Sequence, residues 1–304
     1  MTLRVAAIYT TYRPEPGFRN RIDPVVARCA ETIVVDNTPG GHPFTDLDGV
    51  VVLQDGVNKG LGRALNLGMA EARRRGCDCV VLFDQDSTPS GGFIDALAEA
   101  HARLGARNVC VGPYLLDDEY AGTSSEAHGD WAPRNVTCLP TSGMFFRLED
   151  LKPEDDFSED FFLDFADLDW CWRLRAKGWQ LFRLDHFPML HRQGLAQRHL
   201  FGFPYHVPAP YRHYFQFRET LRLLPRAYVP LYAKFRFGLL LPAKVVVYPF
   251  LLDRGWERLR WMLKGLRDAL RGIGGVGAAG TTLLPASAAP SDNASNVPRG
   301  DRTS

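Results

Sequence analysis

The chain contains 304 residues, of which 45% are hydrophobic and 23% are charged, and its formal net charge is +1. These values are ordinary for a globular protein, and the length suffices for one large α/β domain with an appendage. The six cysteines have neither zinc-site spacing nor the C-x-x-C redox pattern, so both kinds of site are excluded and buried reduced thiols in a cytosolic protein are expected.

The net charge conceals a division along the chain. Residues 1–170 carry 15 Lys and Arg against 28 Asp and Glu, whereas residues 171–271 carry 19 against 5. The acidic part is compatible with metal binding, and the basic part suggests an anionic partner such as a nucleotide diphosphate or a phospholipid surface. No signal peptide is recognisable, because only four apolar residues follow Arg4 before a polar stretch.

Short apolar runs alternate with helical patterns over the first 111 residues. Strands are predicted at 5–8, 32–35, 50–53, 79–84 and 109–111, and helices at 18–30, 63–75 and 93–104. This alternation indicates βαβ units and a mostly parallel sheet. We therefore predict an α/β fold with a single nucleotide-binding domain over residues 1–210.

Polar residues follow one predicted strand after another, at Thr10, Asp36, Asn58 and Asp84. The carboxyl ends of parallel strands meet at one edge of a sheet, where ligands bind in open α/β folds. The pattern therefore favours a nucleotide site at this edge.

The segment Phe83–Ser87 is the most informative of these strand ends. Asp84 and Asp86 are two residues apart, so in an extended chain they point to the same side and can converge on one cation. Hard oxygen ligands suit Mg²⁺ or Mn²⁺. The other interpretation is an acidic turn that caps the next helix.

A strand pattern resumes at 137–146, after an irregular polar stretch at 115–136 that is predicted to be a loop. Gly143 would permit close backbone approach or a bulge. Thr141 and Ser142 offer hydroxyls to a sugar or phosphate. Alternatively, these residues form a plain turn before an edge strand.

A second acidic cluster lies at 161–175. Leu168, Cys171 and Trp172 follow a helical period, which places Asp167 and Asp169 in a first helical turn. Carboxylates are favoured there by the helix dipole, but acids among aromatic residues also suit a general base with a raised pKa. A strand is predicted at 180–184, and the later His191, taken alone, is more often a structural histidine than a ligand.

In order, these motifs resemble the inverting, GT-A-fold glycosyltransferases of family 2, and within them the rhamnosyltransferase-like branch, over most of residues 4–224. Thr10, Thr11 and Tyr12 look like the first nucleotide-contacting loop, and Asp36 and Asn37 look like the nucleoside-reading V-D-N motif. The segment 58–68, with Asn58, Gly60 and Arg63, is similar to the N-x-G segment of the family. Asp84, Gln85 and Asp86 match the D-Q-D-S form of the metal motif, which is typical of this branch.

The later motifs continue the resemblance on the acceptor side. Thr141, Ser142 and Gly143 look like the T-S-G motif, and residues 162–173 resemble F-I-D-x-V-D-I-E-W-C-x-R. The alignment implies that Asp167 is the catalytic base, with Asp169 standing where the family has Glu, and that His191 can complete the metal shell. Residues 212–218 are similar to R-H-Y-Y-x-x-R-N, with Glu219 in place of Asn.

The resemblance implies metal-dependent inverting transfer from a nucleotide-diphosphate sugar to a glycan or lipid-linked acceptor, in cell-surface polysaccharide or glycolipid synthesis. Rhamnose from dTDP-rhamnose is favoured, and galactofuranose or another UDP-linked sugar is the alternative. Asp86 would bind Mg²⁺ or Mn²⁺, Asp84 would contact the ribose or the metal, and Arg63 and Lys59 are candidates for the diphosphate. A nucleotide-binding, membrane-associated scaffold without turnover is the alternative of another class. No nucleic-acid partner is expected.

Residues 211–271 form a basic, helical appendage, and residues 272–304 are expected to be a disordered tail. The apolar span 237–252 is interrupted by Pro242, Lys244 and Pro249, which makes it too short for a transmembrane helix. The amphipathic segment 256–267 suits either a membrane surface or packing on the catalytic domain or a second subunit. The protein is expected in the cytoplasm, either free or on the inner face of the cytoplasmic membrane.

Overall fold

The computed structural model describes residues 3–44, 47–89, 92–105, 107–117, 133–191, 197–200, 203–206 and 208–275. The strands within this part of the chain are β1 (Val5–Thr11), β2 (Glu31–Asp36), β3 (Val51–Gln54), β4 (Cys79–Asp84), β5 (Ser87–Thr88), β6 (Val109–Asp117), β7 (Arg134–Asn135), β8 (Phe145–Arg147), β9 (Gln180–His191), β10 (Gln197–Leu200) and β11 (Phe203–His206). The α-helices are α1 (Phe18–Val26), α2 (Leu61–Arg74), α3 (Phe93–Leu104), α4 (Ala166–Ala176), α5 (Arg212–Leu223), α6 (Leu231–Leu251) and α7 (Gly255–Leu270).

The first half of the central sheet is parallel, in the order β3-β2-β1-β4. Successive side chains of a strand point to opposite faces, and β1 is buried on both. Ile8 belongs to a core shared with α2 and α4, whereas Tyr9 belongs to a core shared with α1 and α3. The sheet is thus the middle layer between two layers of helices.

The second half of the sheet is mixed. The strand β8 lies between β4 and β6 and is antiparallel to both, while β6 and β9 are parallel. The short strands β5 and β7 pair antiparallel with β9. The predicted α/β fold is confirmed, and the sheet is parallel through its first four strands and mixed beyond them.

The strand predicted over 137–146 is wrong for most of its length. Only Phe145–Arg147 is a strand, and it lies inside the sheet rather than at an edge. Gly143 has a φ of 85° and its N–H donates to the carbonyl of Leu82 at 2.7 Å. A Cβ at Gly143 would lie 2.5 Å from the ring of Pro113, so this turn requires glycine. In the stretch predicted as a loop at 115–136, residues 115–117 extend β6, and residues 118–132 lie outside the described residues.

The C-terminal helices pack against one another and against the catalytic part of the chain. The helices α5 and α7 cross closely, since a Cβ at Gly265 would lie 2.3 Å from the carbonyl oxygen of Tyr214. The apolar span becomes the 21-residue helix α6, which continues through Pro242 and Pro249. None of the helices in the described part of the chain has the length and apolar character needed to span a membrane.

The division at residue 210 stays a prediction. Of the tail predicted to be disordered, residues 272–275 are described by the structure, and residues 276–304 lie outside the described residues.

Candidate active site

A cavity of about 610 Å³ opens at the carboxyl ends of the parallel strands. The register of β1 brings Thr10 beside Asp84 on one side and Thr11 beside Asp36 on the other. Eleven of the predicted site residues line the cavity, namely Thr10, Thr11, Tyr12, Asn37, Asn58, Gly60, Asp84, Gln85, Asp86, Thr141 and Asp167. These residues come from six segments, and four of the segments are at or just after the ends of the parallel strands, as the strand-end pattern predicted.

Asp36 does not line the cavity, although Thr11 and Asn37 beside it do. Its side chain is buried, and Oδ1 accepts hydrogen bonds from the hydroxyls of Thr11 and Thr38, both at 2.8 Å. Its Oδ2 has no hydrogen-bond partner within the described part of the chain. A buried carboxylate oxygen without a partner is costly, so this atom is well suited to accept an N–H from a ligand.

Asn37 fixes the segment that leads into α2. Its Oδ1 accepts from the backbone N–H of Lys59 at 3.2 Å, and its Nδ2 donates to the carbonyl of Gly60 at 3.3 Å. Gly60 has a φ of 83°, and a Cβ there would lie 2.7 Å from Cδ2 of Phe162. The N–H of Leu61 also donates to the carbonyl of Phe162 at 2.8 Å. The N-x-G segment is therefore in direct contact with the loop that precedes α4.

The two cations predicted for the diphosphate do not line the cavity. Arg63 Nη1 is 2.9 Å from Glu159, and Lys59 forms an ion pair with Asp55. Arg212, at the start of α5, lines the cavity instead and lies 2.8 Å from Asp164. Sequence reasoning missed this residue as a site residue, although it begins the R-H-Y motif that the resemblance included.

Side-chain hydrogen bonds hold the acidic turn, residues 84–87, in place. The side chain of Gln85 accepts from the N–H of Tyr12 at 2.7 Å. Ser142 is buried, accepts from the N–H of Asp84 at 3.3 Å and hydrogen-bonds to the hydroxyl of Ser87. Of the three residues predicted for the acceptor side, only Thr141 lines the cavity, while Ser142 and Gly143 support the turn.

The donor set of the acidic turn fits a hard divalent cation. Asp84 and Asp86 both line the cavity and supply carboxylate oxygens, the ligands that Mg²⁺ and Mn²⁺ prefer. Ser87 pairs with His191 between β5 and β9, so the backbone of His191 lies beside the turn. The side chain of His191 lies outside the described residues. No group of three or more metal-ligating side chains occurs within the part of the chain that the structure describes.

Asp167 lies on the wall of the cavity formed by α4. Burial raises its pKa to about 6, and the nearby carboxylate of Asp164 acts in the same direction. The backbone N–H of Leu168, which donates to Oδ1 at 2.8 Å, opposes this rise. A carboxylate with a pKa near 6 is ionised at neutral pH and accepts a proton more readily than an ordinary aspartate.

Asp169 is separated from the cavity by the helix. It is completely buried, and its Oδ1 accepts from Arg226 at 2.9 Å and from the hydroxyl of Tyr228. Its Oδ2 lies 3.6 Å from Arg173. The structure thus brings one of the two candidate bases to the site and places the other in a buried ion-pair network.

Glu219 is a second residue whose place at the site the sequence did not indicate. It is fully buried, and its two carboxylate oxygens accept from the backbone N–H groups of Phe162 at 2.9 Å and Asp164 at 2.8 Å. Burial raises its pKa to about 8, the charge of Asp164 adds to the rise, and Arg218 opposes it. Glu219 therefore anchors the loop that carries Asp164 and leads to Asp167.

The family model "Glycosyl transferase family 2" matches residues 15–146, which include the V-D-N, N-x-G and D-Q-D-S motifs. Residues 15–146 are thus similar to glycosyltransferase family 2. The chain is 24% identical over 298 residues to "dTDP-rhamnosyl transferase RfbF" of Shigella flexneri, a match that covers 91% of this chain and 97% of that protein. The predicted resemblance to the rhamnosyltransferase-like branch is confirmed.

Solved structures have a similar fold. The crystal structure of TarS residues 1–349 from S. aureus has a TM-score of 0.57 at 14% identity, covering 88% of this chain and 81% of that one. GalNAc-T7, solved with UDP, GalNAc and Mn²⁺, has a TM-score of 0.52 at 13% identity, covering 78% of this chain and 54% of that one. The GT-A-type fold and the transferase class are confirmed, so the non-catalytic scaffold is not retained.

Proposed function

We propose that this glycosyltransferase moves rhamnose from dTDP-rhamnose to a glycan or lipid-linked acceptor, with inversion and with Mg²⁺ or Mn²⁺, during synthesis of a cell-surface polysaccharide or glycolipid in the cytoplasm. The observation that carries the proposal is one cavity lined by the acidic turn at Asp84 and Asp86 and also by Asp167. The choice of rhamnose is supported by the dTDP-rhamnosyl transferase that matches this chain over nearly its whole length.

The strand-end side of the cavity would hold the donor. Asp36 Oδ2, buried without a partner among the described residues, would accept an N–H from the nucleobase. Asp84 and Asp86 would hold the divalent cation, which supplies charge neutralisation to the departing diphosphate when bound. Arg212 is a cation on the cavity wall and would bind a phosphate oxygen through charge-assisted hydrogen bonds.

Asp167 would remove the proton from the acceptor hydroxyl. The acceptor oxygen then forms a bond to the anomeric carbon while the bond from that carbon to the diphosphate oxygen breaks. The proton stays on Asp167, and the nucleoside diphosphate leaves with the electron pair of the broken bond. Attack opposite the leaving group inverts the anomeric carbon. General-base assistance of this kind contributes about 10²–10⁴-fold to the rate.

A donor and metal panel tests the proposal. The protein is incubated with dTDP-, UDP- and GDP-sugars in the presence and absence of Mn²⁺, and binding is measured by thermal shift and turnover by release of the nucleoside diphosphate. We expect dTDP-rhamnose to give the largest shift and turnover that depends on the metal. A preference for a UDP-sugar would instead support the galactofuranosyl or other UDP-sugar alternative.

Asp86→Ala should abolish the metal-dependent turnover, because the cation then loses one of its two carboxylate ligands from the turn. Asp95→Ala is the matched control, since Asp95 is an exposed acid on α3 whose partner is Arg28. Metal-dependent turnover by Asp86→Ala at the rate of the control would contradict the assignment of Asp86.

A further inference from the structure

The helix α6 leaves an apolar face uncovered. Phe235, Leu239, Val246 and Phe250 are 77%, 74%, 65% and 74% exposed. Their spacings of four, seven and four residues place them on one side of the helix. Exposed apolar side chains are normal when isolated, but a continuous stripe of this length marks an interaction surface. At 1.5 Å per residue, the 21-residue helix is about 30 Å long.

All charged residues in the segment that carries this face are positive. Residues 220–252 include five Lys or Arg and no Asp or Glu. Arg222 and Arg226 form ion pairs with Asp160, which lies outside this segment. Lys234 and Arg236 lie on α6 itself, and Arg236 is exposed. Two copies of the helix placed face to face would bring like charges together, whereas anionic phospholipid headgroups would attract them.

The same helix is in contact with the active site. The ring of Phe237, which is less exposed than the stripe, meets the ring of Phe165 with a centroid distance of 5.5 Å. Phe165 lines the cavity. Phe237 and the stripe lie on opposite sides of α6, so the helix stands between the cavity wall and a surface that receives the stripe.

The sequence left open whether the segment 256–267 binds a membrane surface or packs on protein, and the contacts of α7 favour packing. Within α7, Met262 is fully buried and Gly265 is in close contact with α5, so much of that apolar face is covered by protein. Trp256, at the beginning of α7, is 61% exposed, and its ring meets that of Phe250 at 5.8 Å. Tryptophan is a frequent anchor at the boundary between lipid and water.

We infer that α6 lies in the headgroup region of an anionic phospholipid membrane, with Phe235, Leu239, Val246 and Phe250 inserted toward the acyl chains. An interfacial helix of this kind lies in the plane of the membrane and does not cross it. The link between this surface and a lipid-linked acceptor rests on the proposed function. The binding to lipid stands without it.

Co-sedimentation of the full chain with vesicles tests this inference. Vesicles of phosphatidylglycerol and phosphatidylcholine are compared with vesicles of phosphatidylcholine alone, at low and high salt. We expect sedimentation with the anionic vesicles that weakens with salt, since part of the attraction is electrostatic. Phe235→Ser/Phe250→Ser should lower the partition coefficient at least tenfold, because each phenylalanine contributes about tenfold or more when inserted.

Leu3→Ser/Leu67→Ser is the matched control, because both leucines are exposed and lie on other parts of the molecule. This variant should sediment as the parent protein does. Equal sedimentation of the Phe235→Ser/Phe250→Ser variant and the control would overturn the inference. It would also be overturned if the parent were a dimer by light scattering that the phenylalanine variant dissociates, with no sedimentation by either, since α6 would then be an interface between copies.

Donor turnover in solution separates this inference from the proposed function. The phenylalanine variant should release nucleoside diphosphate from dTDP-rhamnose as fast as the parent protein when no membrane is present, because neither phenylalanine lines the cavity. If the variant loses lipid binding and keeps its turnover, the result supports the role of α6 and leaves the proposed reaction unaffected. If neither protein shows turnover, the proposed reaction is contradicted and the inference about α6 is unaffected.

Discussion

Asp167 and Asp169 are two residues apart in the sequence and have entirely different surroundings. Asp167 lines the cavity, where burial raises its pKa to about 6. Asp169 points away from it and is neutralised by Arg226 and Arg173. The macrodipole explanation suits either acid, so the helical pattern of the sequence could not separate them. The separation comes from Arg226, which is 57 residues later in the chain.

Asp167→Asn should lower kcat by about 10²–10⁴-fold while leaving nucleotide binding unchanged, because it removes the proton acceptor and keeps the shape of the side chain. In the parent protein, kcat should fall as the pH drops below about 6, since the carboxylate becomes protonated and can no longer act as a base. The measurements are the pH profile of kcat and the binding of nucleotide by calorimetry. Turnover by Asp167→Asn close to that of the parent protein would exclude Asp167 as the base.

Asp169→Asn is the matched variant for the same experiment. It should retain most of the turnover and lower the free energy of unfolding by about 1–3 kcal/mol, because a neutral amide compensates the buried arginine partner less well. Urea denaturation measures this difference. A loss of kcat as large as that of Asp167→Asn, at unchanged stability, would reverse the two assignments.

Elements built from local apolar runs were predictable from the sequence. The strands β1, β2, β3 and β4 each contain a run of Val, Ile, Leu or Ala, and the sequence predicted all four. At Gly143 the sequence could not decide between a strand and a turn, because the turn is fixed by a hydrogen bond to Leu82, 61 residues earlier. The sequence treated the α6 span as interrupted by prolines, yet the helix continues through them at positions that are exposed or near its end.

The crossing of α5 and α7 depends on the absence of a side chain at Gly265. Gly265→Ala should lower the free energy of unfolding by about 1–3 kcal/mol, because the new methyl group would meet the Tyr214 carbonyl and force the helices apart. Gly238→Ala, on α6, has no atom within 4 Å of the added Cβ and should raise it by up to about 1 kcal/mol through helix propensity. Chemical denaturation of both variants measures the contrast. Equal effects of the two would show that the crossing tolerates a methyl group.

Contacts between α5 and the loop before α4 connect the C-terminal helices to the active site. Glu219 on α5 accepts from two N–H groups of the loop before α4, and Arg212 on the same helix forms an ion pair with Asp164. The opposite side of that loop is held by the contact between Leu61 and Phe162. The sequence predicted the strand-end half of the site but not this half, since Glu219 and the loop are more than 50 residues apart. The predicted boundary at residue 210 therefore runs through a set of contacts that positions the loop.

Glu219→Gln should lower kcat by about 10²-fold and the free energy of unfolding by about 1–3 kcal/mol. A glutamine has only one acceptor oxygen for the two backbone N–H groups, so one of them loses its bond and the loop shifts. The buried Arg218, which donates to Oε1 at 2.8 Å, also loses its charged partner. Thermal unfolding and steady-state kinetics measure the two effects, and binding of the free nucleotide should be retained. Glu257→Gln, at a partly exposed acid of α7 paired with Arg254, is the control. If the two variants behaved alike, Glu219 would not position the loop.

The anchor that Glu219 provides makes no use of the side chains in the loop. Because it binds backbone N–H groups on both sides of Leu163, the side chain at this position can change while the main chain stays in place. Leu163 also lines the cavity. Position 163 is therefore a natural starting point for saturation mutagenesis aimed at altered acceptor selectivity.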